Sequence, residues 1–372
     1  MIILSMPTVR SSCGVLCPTT RSSVAAAALL TPFVLVLFLR AEGRHLSRPE
    51  GVVRTQIPLA REKRASLSVR EELVRHQQEK GLSLLTIWRN RLFTVDLAGR
   101  KLNEGGTLIS KGTATKGAMS PDGREVAFSY CPDLRVIGAP PILVECAIPE
   151  YLAIIRADGT GFREYQNLRY PTGFCWSPQN SSLVLSVENL KDDPPADDAL
   201  HLLDLSSGNV RRLGNEEFAY VSPQCQSPDG KQIVYTLNKP GLQTIRIYSL
   251  EYRISKDIAS GLSLKNATWS PDGQWIVASH DREPGEEECS YIQIRPSGQD
   301  RKVLFRTDLI YQELAWSPDS RFVAYSGYAK GSDELRLWVR RLEDGEEDWL
   351  APLNERDVPS FQWVQNPDFL KR

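Results

Sequence analysis

Short apolar runs recur at a regular spacing through most of the chain, each preceded by a polar turn segment. Five of these runs are each followed by a serine or threonine, at residues 126–128, 183–185, 233–235, 276–278 and 323–325. A further apolar segment follows each run, at residues 151–156, 200–205, 244–250, 290–295 and 334–339. One more segment precedes each turn, and a short one ends each unit. A unit of about 40–50 residues therefore has four segments, and we predict that they form four antiparallel strands.

The turn segments are copies of one motif. The copies are Met-Ser-Pro-Asp-Gly at 119–123, Trp-Ser-Pro-Gln-Asn at 176–180, Gln-Ser-Pro-Asp-Gly at 226–230, Trp-Ser-Pro-Asp-Gly at 269–273, Trp-Ser-Pro-Asp-Ser at 316–320 and a degraded Trp-Val at 363–364. Proline presets φ, aspartate bonds its own backbone and glycine accepts φ > 0, so the motif closes a tight hairpin. We therefore expect its Trp, Ser and Asp to be structural rather than catalytic.

The two ends of the repeat region complete one another. Residues 82–110 contain three strand segments without a first strand, whereas residues 360–364 form a lone first strand near the C-terminus. Pairing them would close a ring and remove its free edges. The sequence thus predicts an all-β fold, a six-bladed β-propeller over residues 82–366 with four-stranded antiparallel blades.

This repeat resembles that of the TolB-like, WD40-like propellers, and the resemblance covers residues 82–364. It implies a periplasmic or otherwise extracytoplasmic platform for protein interactions. Some relatives in that family carry an added hydrolase domain or a metal-dependent lyase site. The shared repeat is strong evidence for the fold and weak evidence for the function, because it stabilises turns in proteins with different roles.

The N-terminal region predicts a membrane or export segment. Residues 24–39 form an uncharged apolar run of 16 residues, between the length of a signal-peptide core and that of a full membrane span. We expect residues 1–40 to act as an uncleaved signal anchor or a cleaved signal peptide, with an N-terminal hydrophobic helix, and a wrongly assigned start of the chain is the third alternative. The protein is then membrane-anchored through 24–39, or secreted. Arginines on both sides of the run leave its orientation open.

Residues 41–81 form a polar linker with one short predicted helix. Ser68 and Glu71 have the spacing of a capping box, and Gly81 is a typical helix stop, which places the helix at about residues 69–80. This helix could be a stalk or a partner-binding element, or it could lie against the edge of the propeller.

Charge and composition exclude several classes of function. The 45 Lys and Arg balance 46 Asp and Glu, which argues against a nucleic-acid partner. The chain lacks a Gly-x-Ser-x-Gly elbow and the known phosphate-binding loops. Of its 4 histidines only His201 and His280 fall in the repeats, on different blades. We expect no catalytic residues, no metal site and no cofactor.

The cysteines give a weak indication of compartment. Cys131 and Cys146 bracket the longest insertion of the first complete blade, and in an oxidising space they could form a disulfide across a loop of ~15 residues. Free thiols are the alternative for this pair. Cys175 and Cys225 lie near blade turns on first strands, where buried thiols are ordinary, and we expect them to be unpaired.

Two acidic loops stand out on the face opposite the repeated turns, because both join a second strand to a third. Their acidic residues are Asp192, Asp193, Asp197 and Asp198 in one loop and Asp281, Glu283, Glu286, Glu287 and Glu288 in the other. A basic protein partner or a divalent cation could bind there, although solvated loops are the simpler interpretation.

The sequence thus favours a non-catalytic interaction or scaffold module with a protein partner. The alternative is a propeller that binds or processes a small glycan or peptide in its central channel. First-strand residues would then line that channel, and the candidates are Phe174, Gln224, Thr268 and Gln362.

Overall fold

The computed structural model describes residues 67–365, apart from gaps at 89–90, 108–112, 138–142, 147–149, 190–195, 216–217, 281–288, 308–313, 329–333 and 354–360. The elements in chain order are α1 (Val69–Lys80), β1 (Leu82–Trp88), β2 (Arg91–Asp96), β3 (Lys101–Thr107), β4 (Thr113–Met119), β5 (Glu125–Cys131), β6 (Leu134–Ile137), β7 (Leu143–Cys146), β8 (Tyr151–Arg156), β9 (Arg163–Arg169), β10 (Pro171–Trp176), β11 (Ser182–Asn189), β12 (Ala196–Asp204), β13 (Val210–Arg212), β14 (Ala219–Tyr220), β15 (Gln232–Lys239), β16 (Leu242–Ser249), β17 (Ile254–Gly261), β18 (Leu264–Trp269), β19 (Ile276–His280), β20 (Cys289–Ile294), β21 (Lys302–Thr307), β22 (Ala315–Trp316), β23 (Phe322–Tyr328), β24 (Leu335–Arg341), β25 (Glu347–Pro352) and β26 (Phe361–Gln365).

The predicted N-terminal hydrophobic helix, the segment at 24–39 and most of the linker lie outside the described residues. Within the part of the chain that the structure describes, no helix has the length and apolar character needed to cross a membrane.

Six four-stranded antiparallel sheets form the blades of a propeller. Blade 1 consists of β4, β5, β8 and β9, and blades 2 to 5 take the remaining strands in successive groups of four from β10 to β25. Blade 6 has the strand order β26-β1-β2-β3. This confirms the predicted all-β, six-bladed propeller. The insertion in blade 1 forms a separate two-stranded hairpin of β6 and β7.

Blade 6 closes the ring by joining the two ends of the repeat region. Strand β26 pairs antiparallel with β1, in a register that runs from Leu82 opposite Gln365 to Thr86 opposite Phe361. The closure predicted from the sequence is therefore confirmed. Because the first strand of this blade comes from the far end of the chain, the ring is closed by hydrogen bonds and packing rather than by the backbone.

The apolar core lies between neighbouring blades. All of β19 is buried, and so is β5 beyond its first residue, which explains why the second strands are nearly continuous apolar runs. One cluster of buried residues joins blades 3 and 4, and another joins blades 1 and 2. Truncating one such Leu or Ile to Ala typically costs about 2–5 kcal/mol.

The repeated turns are held by their own side chains. The Ser227 hydroxyl donates to Asp229 and accepts from the backbone N–H of Gln232 at 2.9 Å. Equivalent bonds tie Ser120 to Asp122, Ser270 to Asp272 and Ser317 to Asp319. The last residue of each turn has positive φ, and Asn180 and Ser320 adopt it at 57° and 58° where the other copies have glycine. The motif thus has the structural role expected from the sequence.

Helix α1 packs onto blades 5 and 6. Val69 and Leu73 are buried in one cluster with residues of both blades. Glu72 is also buried, and its carboxylate bridges Arg321 at 2.6 Å and Arg341 at 3.0 Å. Ser68 and Glu71 form the predicted capping box. The sequence left open whether this helix is a stalk, a partner-binding element or a helix packed on the propeller. In the structure it lies against the propeller.

Candidate functional site

The first strands of the blades converge on the axis of the ring, where they surround a cavity of about 300 Å³. It opens on the turn face, which we define as the end of the ring that carries the repeated turns at 120–123, 177–180, 227–230, 270–273 and 317–320. Its lining residues come from all six blades and are Pro121, Trp176, Pro178, Pro223, Gln224, Gln226, Pro228, Trp269, Ser270, Pro271, Pro318, Gln362 and Trp363.

The wall of this cavity is apolar and uncharged. Six prolines and three tryptophans account for most of it, and the polar residues of the lining are three glutamines and one serine, with no charged side chain among them. Prolines lack an N–H, so the side chains and the remaining backbone groups supply the hydrogen-bond donors. The turn-face cavity is suited to a small, uncharged ligand.

Two of its glutamines are occupied in holding the ring together. The Gln362 amide accepts from the Met119 N–H at 2.8 Å and donates to the Met119 carbonyl at 2.7 Å, which clamps blade 6 to blade 1. Gln224 makes the same pair of bonds to the Trp316 backbone, at 2.9 and 3.3 Å. The second clamp reaches from blade 3 past blade 4 to blade 5, which shows how closely the first strands approach one another at the axis.

Among the described residues, the tryptophan of the turn motif also links three of the six pairs of neighbouring blades. The indole N–H of Trp176 donates to the Ala118 carbonyl at 2.9 Å, and that of Trp363 donates to the Ala315 carbonyl at 3.1 Å. Trp316 donates to the Thr268 hydroxyl at 3.2 Å. In each case the acceptor belongs to the residue just before the tryptophan position of the preceding blade.

This series is interrupted at blade 1, where Met119 takes the tryptophan position, and more severely at blade 3. Its first strand is reduced to two residues, Ala219 and Tyr220, followed by an irregular segment through Pro223. The tryptophan position of this blade is Gln226, whose amide N–H group has no hydrogen-bond partner among the described residues. The indole N–H of Trp269, in blade 4, is likewise unpartnered and buried.

A disulfide holds the ring at this interruption. Cys175 and Cys225 are bonded to each other, with their Cα atoms 5.7 Å apart, and both are fully buried. The sequence-based expectation of unpaired thiols at these positions was wrong. Each cysteine directly precedes the tryptophan position of its blade, so adjacent first strands place the two side by side. That shared repeat position was the signal in the sequence.

Blade 3 also approaches blade 2 closely at two further points. The Ser186 hydroxyl accepts from the backbone N–H of Val221 at 2.8 Å. Gly173 faces the Val221 carbonyl so closely that a Cβ there would lie 2.3 Å from its oxygen. The irregular segment is therefore fixed to blade 2 by a covalent bond, a buried hydrogen bond and a backbone contact.

Of the four channel candidates from the sequence, two line the cavity and two do not. Gln224 and Gln362 lie in its wall, whereas Phe174 is buried in the cluster that joins blades 1 and 2. Thr268 is buried and accepts the indole N–H of Trp316.

The acidic loops fall largely outside the described residues. Asp192, Asp193, Asp281, Glu283, Glu286, Glu287 and Glu288 lie in the gaps at 190–195 and 281–288. Asp197 and Asp198 belong to β12, and their side chains are not described. The two gaps fall between the second and the third strand of a blade, β11 and β12 in blade 2 and β19 and β20 in blade 4.

The predicted pair of Cys131 and Cys146 stays a prediction. Cys131 is buried and disulfide-bonded. Cys146 is the last residue of β7 and lies opposite Leu134 in the hairpin of β6 and β7. The side chain of Cys146 lies outside the described residues.

The two propeller histidines belong to different blades, His201 to β12 and His280 to β19. Burial lowers the pKa of His201, whose Nδ1 lies 3.2 Å from the Ala199 carbonyl oxygen. Over the described parts of the chain, no three His, Cys, Asp or Glu side chains come together as metal ligands would.

Comparison with solved structures places this architecture among known propellers. TolB from Acinetobacter baumannii superposes with a TM-score of 0.56 at 15% identity, over 76% of this chain and 66% of that one. A TolB from Agrobacterium tumefaciens gives 0.51 at 17% identity, over 73% and 89% of the two chains. This chain has the TolB propeller fold.

A further solved structure has the same fold. A chain in the nidogen/laminin complex matches with a TM-score of 0.55 at 11% identity, over 76% of this chain and 98% of that one. No family model matches the sequence, and no curated protein matches it either. The likeness to TolB is therefore one of fold.

Proposed function

We propose that this TolB-like propeller is a non-catalytic interaction module that works outside the cytoplasm. The buried Cys175–Cys225 disulfide is the observation that carries the proposal. Structural disulfides form and persist in oxidising compartments and are rare in the cytosol. Cys131 is disulfide-bonded as well, whereas the buried Cys289 is a free thiol.

The use of the polar repeat residues supports a binding role over a catalytic one. The turn serines and aspartates bond to each other and to their own backbone, and the clamp glutamines bond to neighbouring blades. One solved propeller of this fold comes from a protein complex, that of nidogen and laminin. A module of this kind presents a rigid ring to a partner.

The proposed partner surface is the loop face, defined by the acidic loops at 190–198 and 281–288. In blades 2 and 4 alike, the loop would join the second strand to the third, so both loops would project from the same end of the ring. Their carboxylates would attract a basic protein surface, and such attraction weakens as salt rises. The N-terminal segment at 24–39 would keep the module at a membrane or direct its export.

The test uses the purified protein in a capture experiment from the extracytoplasmic fraction of the source cells. In one variant the four aspartates at 192, 193, 197 and 198 become Asn, and in a second the acidic residues at 281–288 become Asn or Gln. A matched control neutralises three exposed carboxylates elsewhere, namely Glu164, Glu251 and Glu343.

We expect a reproducible partner whose dissociation constant, measured with both proteins purified, rises at least about tenfold in each loop variant and also with salt. The control should bind as the wild type does. Equal affinity of the loop variants and the wild type would contradict the loop face as the binding surface.

A small ligand in the central channel is the second candidate function. The uncharged turn-face cavity is the observation that favours it.

A further inference from the structure

Helix α1 carries one histidine into its contact with blade 5. His76 is 3% exposed, and its ring meets the ring of Phe322 edge-on, with the two centroids 6.0 Å apart. The His76 Nδ1 has no hydrogen-bond partner among the described residues, and a carboxylate oxygen of Asp319 lies 3.6 Å from it. Burial without a hydrogen bond at this nitrogen favours the neutral imidazole, because the charged form loses its hydration there.

The charged groups that surround His76 offset one another. Lys80 and Glu72 face it from α1 itself, and Asp319 and Arg321 face it from blade 5. Two of the four are cations and two are carboxylates, and Glu72 is already paired with Arg321 at 2.6 Å. Burial therefore dominates and lowers the pKa of His76 below its ordinary value of 6.5, with a further lowering by Lys80 and an opposing effect of Asp319.

The contact between α1 and blade 5 has room to change beside His76. A cavity of about 190 Å³ lies there, and its lining residues are His76, Lys80, Leu82, Pro318 and Asp319. The lining thus comes from the end of α1, the start of β1 and the turn of blade 5. A cationic imidazole would gain hydration by moving toward this cavity, at the expense of its packing against Phe322.

The position of α1 in the chain gives this contact a wider consequence. The helix is the last element before β1, so the residues before it, including the predicted segment at 24–39, are joined to the ring through it. Its buried residues Val69 and Leu73 belong to a cluster with residues of blades 5 and 6. Weaker docking of α1 would lengthen the connection to the N-terminal region and uncover apolar residues of these two blades.

We propose that α1 is a pH-sensitive latch, which docks on blades 5 and 6 while His76 is neutral and loosens when His76 is protonated. Since docking holds the pKa of His76 below 6.5, the docked state is fully favoured above about pH 6.5. It loses stability as the pH falls from there through the lowered pKa. The latch stands apart from the loop-face proposal, because it involves another surface of the ring and needs no partner.

The test is hydrogen–deuterium exchange of the full-length protein at pH 7.5 and 5.5, measured by mass spectrometry on peptides from α1. Each exchange rate is divided by the intrinsic rate at the same pH, so that the ratio reports how often the helix opens. The reference is β15 in blade 3, Gln232–Lys239, which contains no histidine.

We expect α1 to open about threefold or more often at pH 5.5 than at pH 7.5, and β15 to keep its protection. The rise is limited to about tenfold, because pH 5.5 lies one unit below the ordinary pKa of histidine. His76→Gln, which stays neutral, should open equally often at both pH values. His201→Gln is the matched control, because burial lowers the pKa of His201 too but this residue lies on β12 in blade 2.

A second measurement applies if His76→Gln does not fold. NMR titration of the imidazole should give a pKa of His76 below 6.5 in the wild type and a still lower one in Asp319→Asn, because the Asp319 carboxylate favours the charged imidazole. Four results would overturn the latch: opening of α1 that does not rise at pH 5.5, a rise that β15 shares, a rise that His76→Gln retains or His201→Gln abolishes, and a pKa of His76 at or above 6.5.

Discussion

Five of the six junctions between blades fall into two kinds, and the sixth, between blades 6 and 1, is the Gln362 clamp on Met119. Blades 1 and 2, 4 and 5, and 5 and 6 are joined at the axis by a tryptophan N–H that donates to the preceding blade. Blades 2 and 3 are joined instead by the Cys175–Cys225 disulfide. Blade 4 is joined to blade 3 by a hydrogen bond from the backbone N–H of Trp269, not its indole N–H, to the Gln224 carbonyl. The regular junctions share an indole hydrogen bond, and the irregular ones have a disulfide or a backbone hydrogen bond in its place.

This difference shows how a repeat protein can tolerate one damaged repeat. Blade 3 lacks both the tryptophan and most of its first strand, yet the ring stays closed because a covalent bond and a close backbone contact substitute for them. At the same junction the side-chain N–H groups of Gln226 and Trp269 are buried and have no partner among the described residues. The disulfide therefore lies at the place in the ring where the regular tryptophan bond is missing.

The largest expected effect is on the covalent junction. Replacing Cys175 and Cys225 together by Ala should lower the free energy of unfolding by about 2–5 kcal/mol, because the disulfide constrains the unfolded chain over a separation of 50 residues. Denaturant unfolding measures this loss. Cys289→Ala is the control for a buried cysteine without a disulfide, and a loss as large there would contradict the special role of the pair.

A second change tests the close contact between blades 2 and 3. Gly173→Ala should destabilise the fold by about 1–3 kcal/mol, since the new Cβ would lie 2.3 Å from the Val221 carbonyl oxygen and the backbone must move. Gly261→Ala is the matched strand glycine, because a Cβ there meets its nearest neighbour at an ordinary 3.5 Å. Similar unfolding curves for both variants would contradict the contact.

A third comparison concerns the stability lost when a tryptophan N–H with an acceptor is removed and when one without an acceptor is removed. Trp176→Phe leaves the Ala118 carbonyl without its donor, and we expect it to cost at least about 1 kcal/mol more than Trp269→Phe. Trp269→Phe also removes an unpaired buried N–H, which offsets part of the cost of a smaller ring. Thermal and denaturant unfolding of the two variants check this difference, and the opposite order would contradict it.

The smallest effect concerns acid stability of the turns. The Ser227 hydroxyl, bonded to Asp229, lowers the pKa of that carboxyl below its ordinary value of 3.8. The turn therefore contributes stability above about pH 4 that is lost as the pH falls through the lowered pKa. Asp229→Asn should flatten this acid dependence, as measured by unfolding between pH 5 and 2. Gln179→Asn, at the same position of blade 2, should leave it unchanged, because that turn has no carboxyl.

The sequence predicts the ring well, because each turn motif determines its own hairpin and the unpaired strands at the two ends specify the closure. It does not predict the junctions, which depend on which side chains of separate repeats meet at the axis. Gln226 and Pro223 indicate a disturbed first strand, and Cys175 and Cys225 share one repeat position, but their significance lies in the packing of adjacent blades. The unused N–H groups of Gln226 and Trp269 follow only from the positions of all their neighbours.

The measurement that tests the central claim most directly is the redox state of the cysteines in the cells that make the protein. Thiols are blocked with iodoacetamide in denaturant, disulfides are then reduced and labelled with N-ethylmaleimide, and mass spectrometry assigns the label at each position. If the Cys175–Cys225 disulfide forms in an oxidising compartment, we expect N-ethylmaleimide on Cys175 and Cys225 and iodoacetamide on Cys289. Iodoacetamide on Cys175 and Cys225 would contradict both the covalent junction and the extracytoplasmic location.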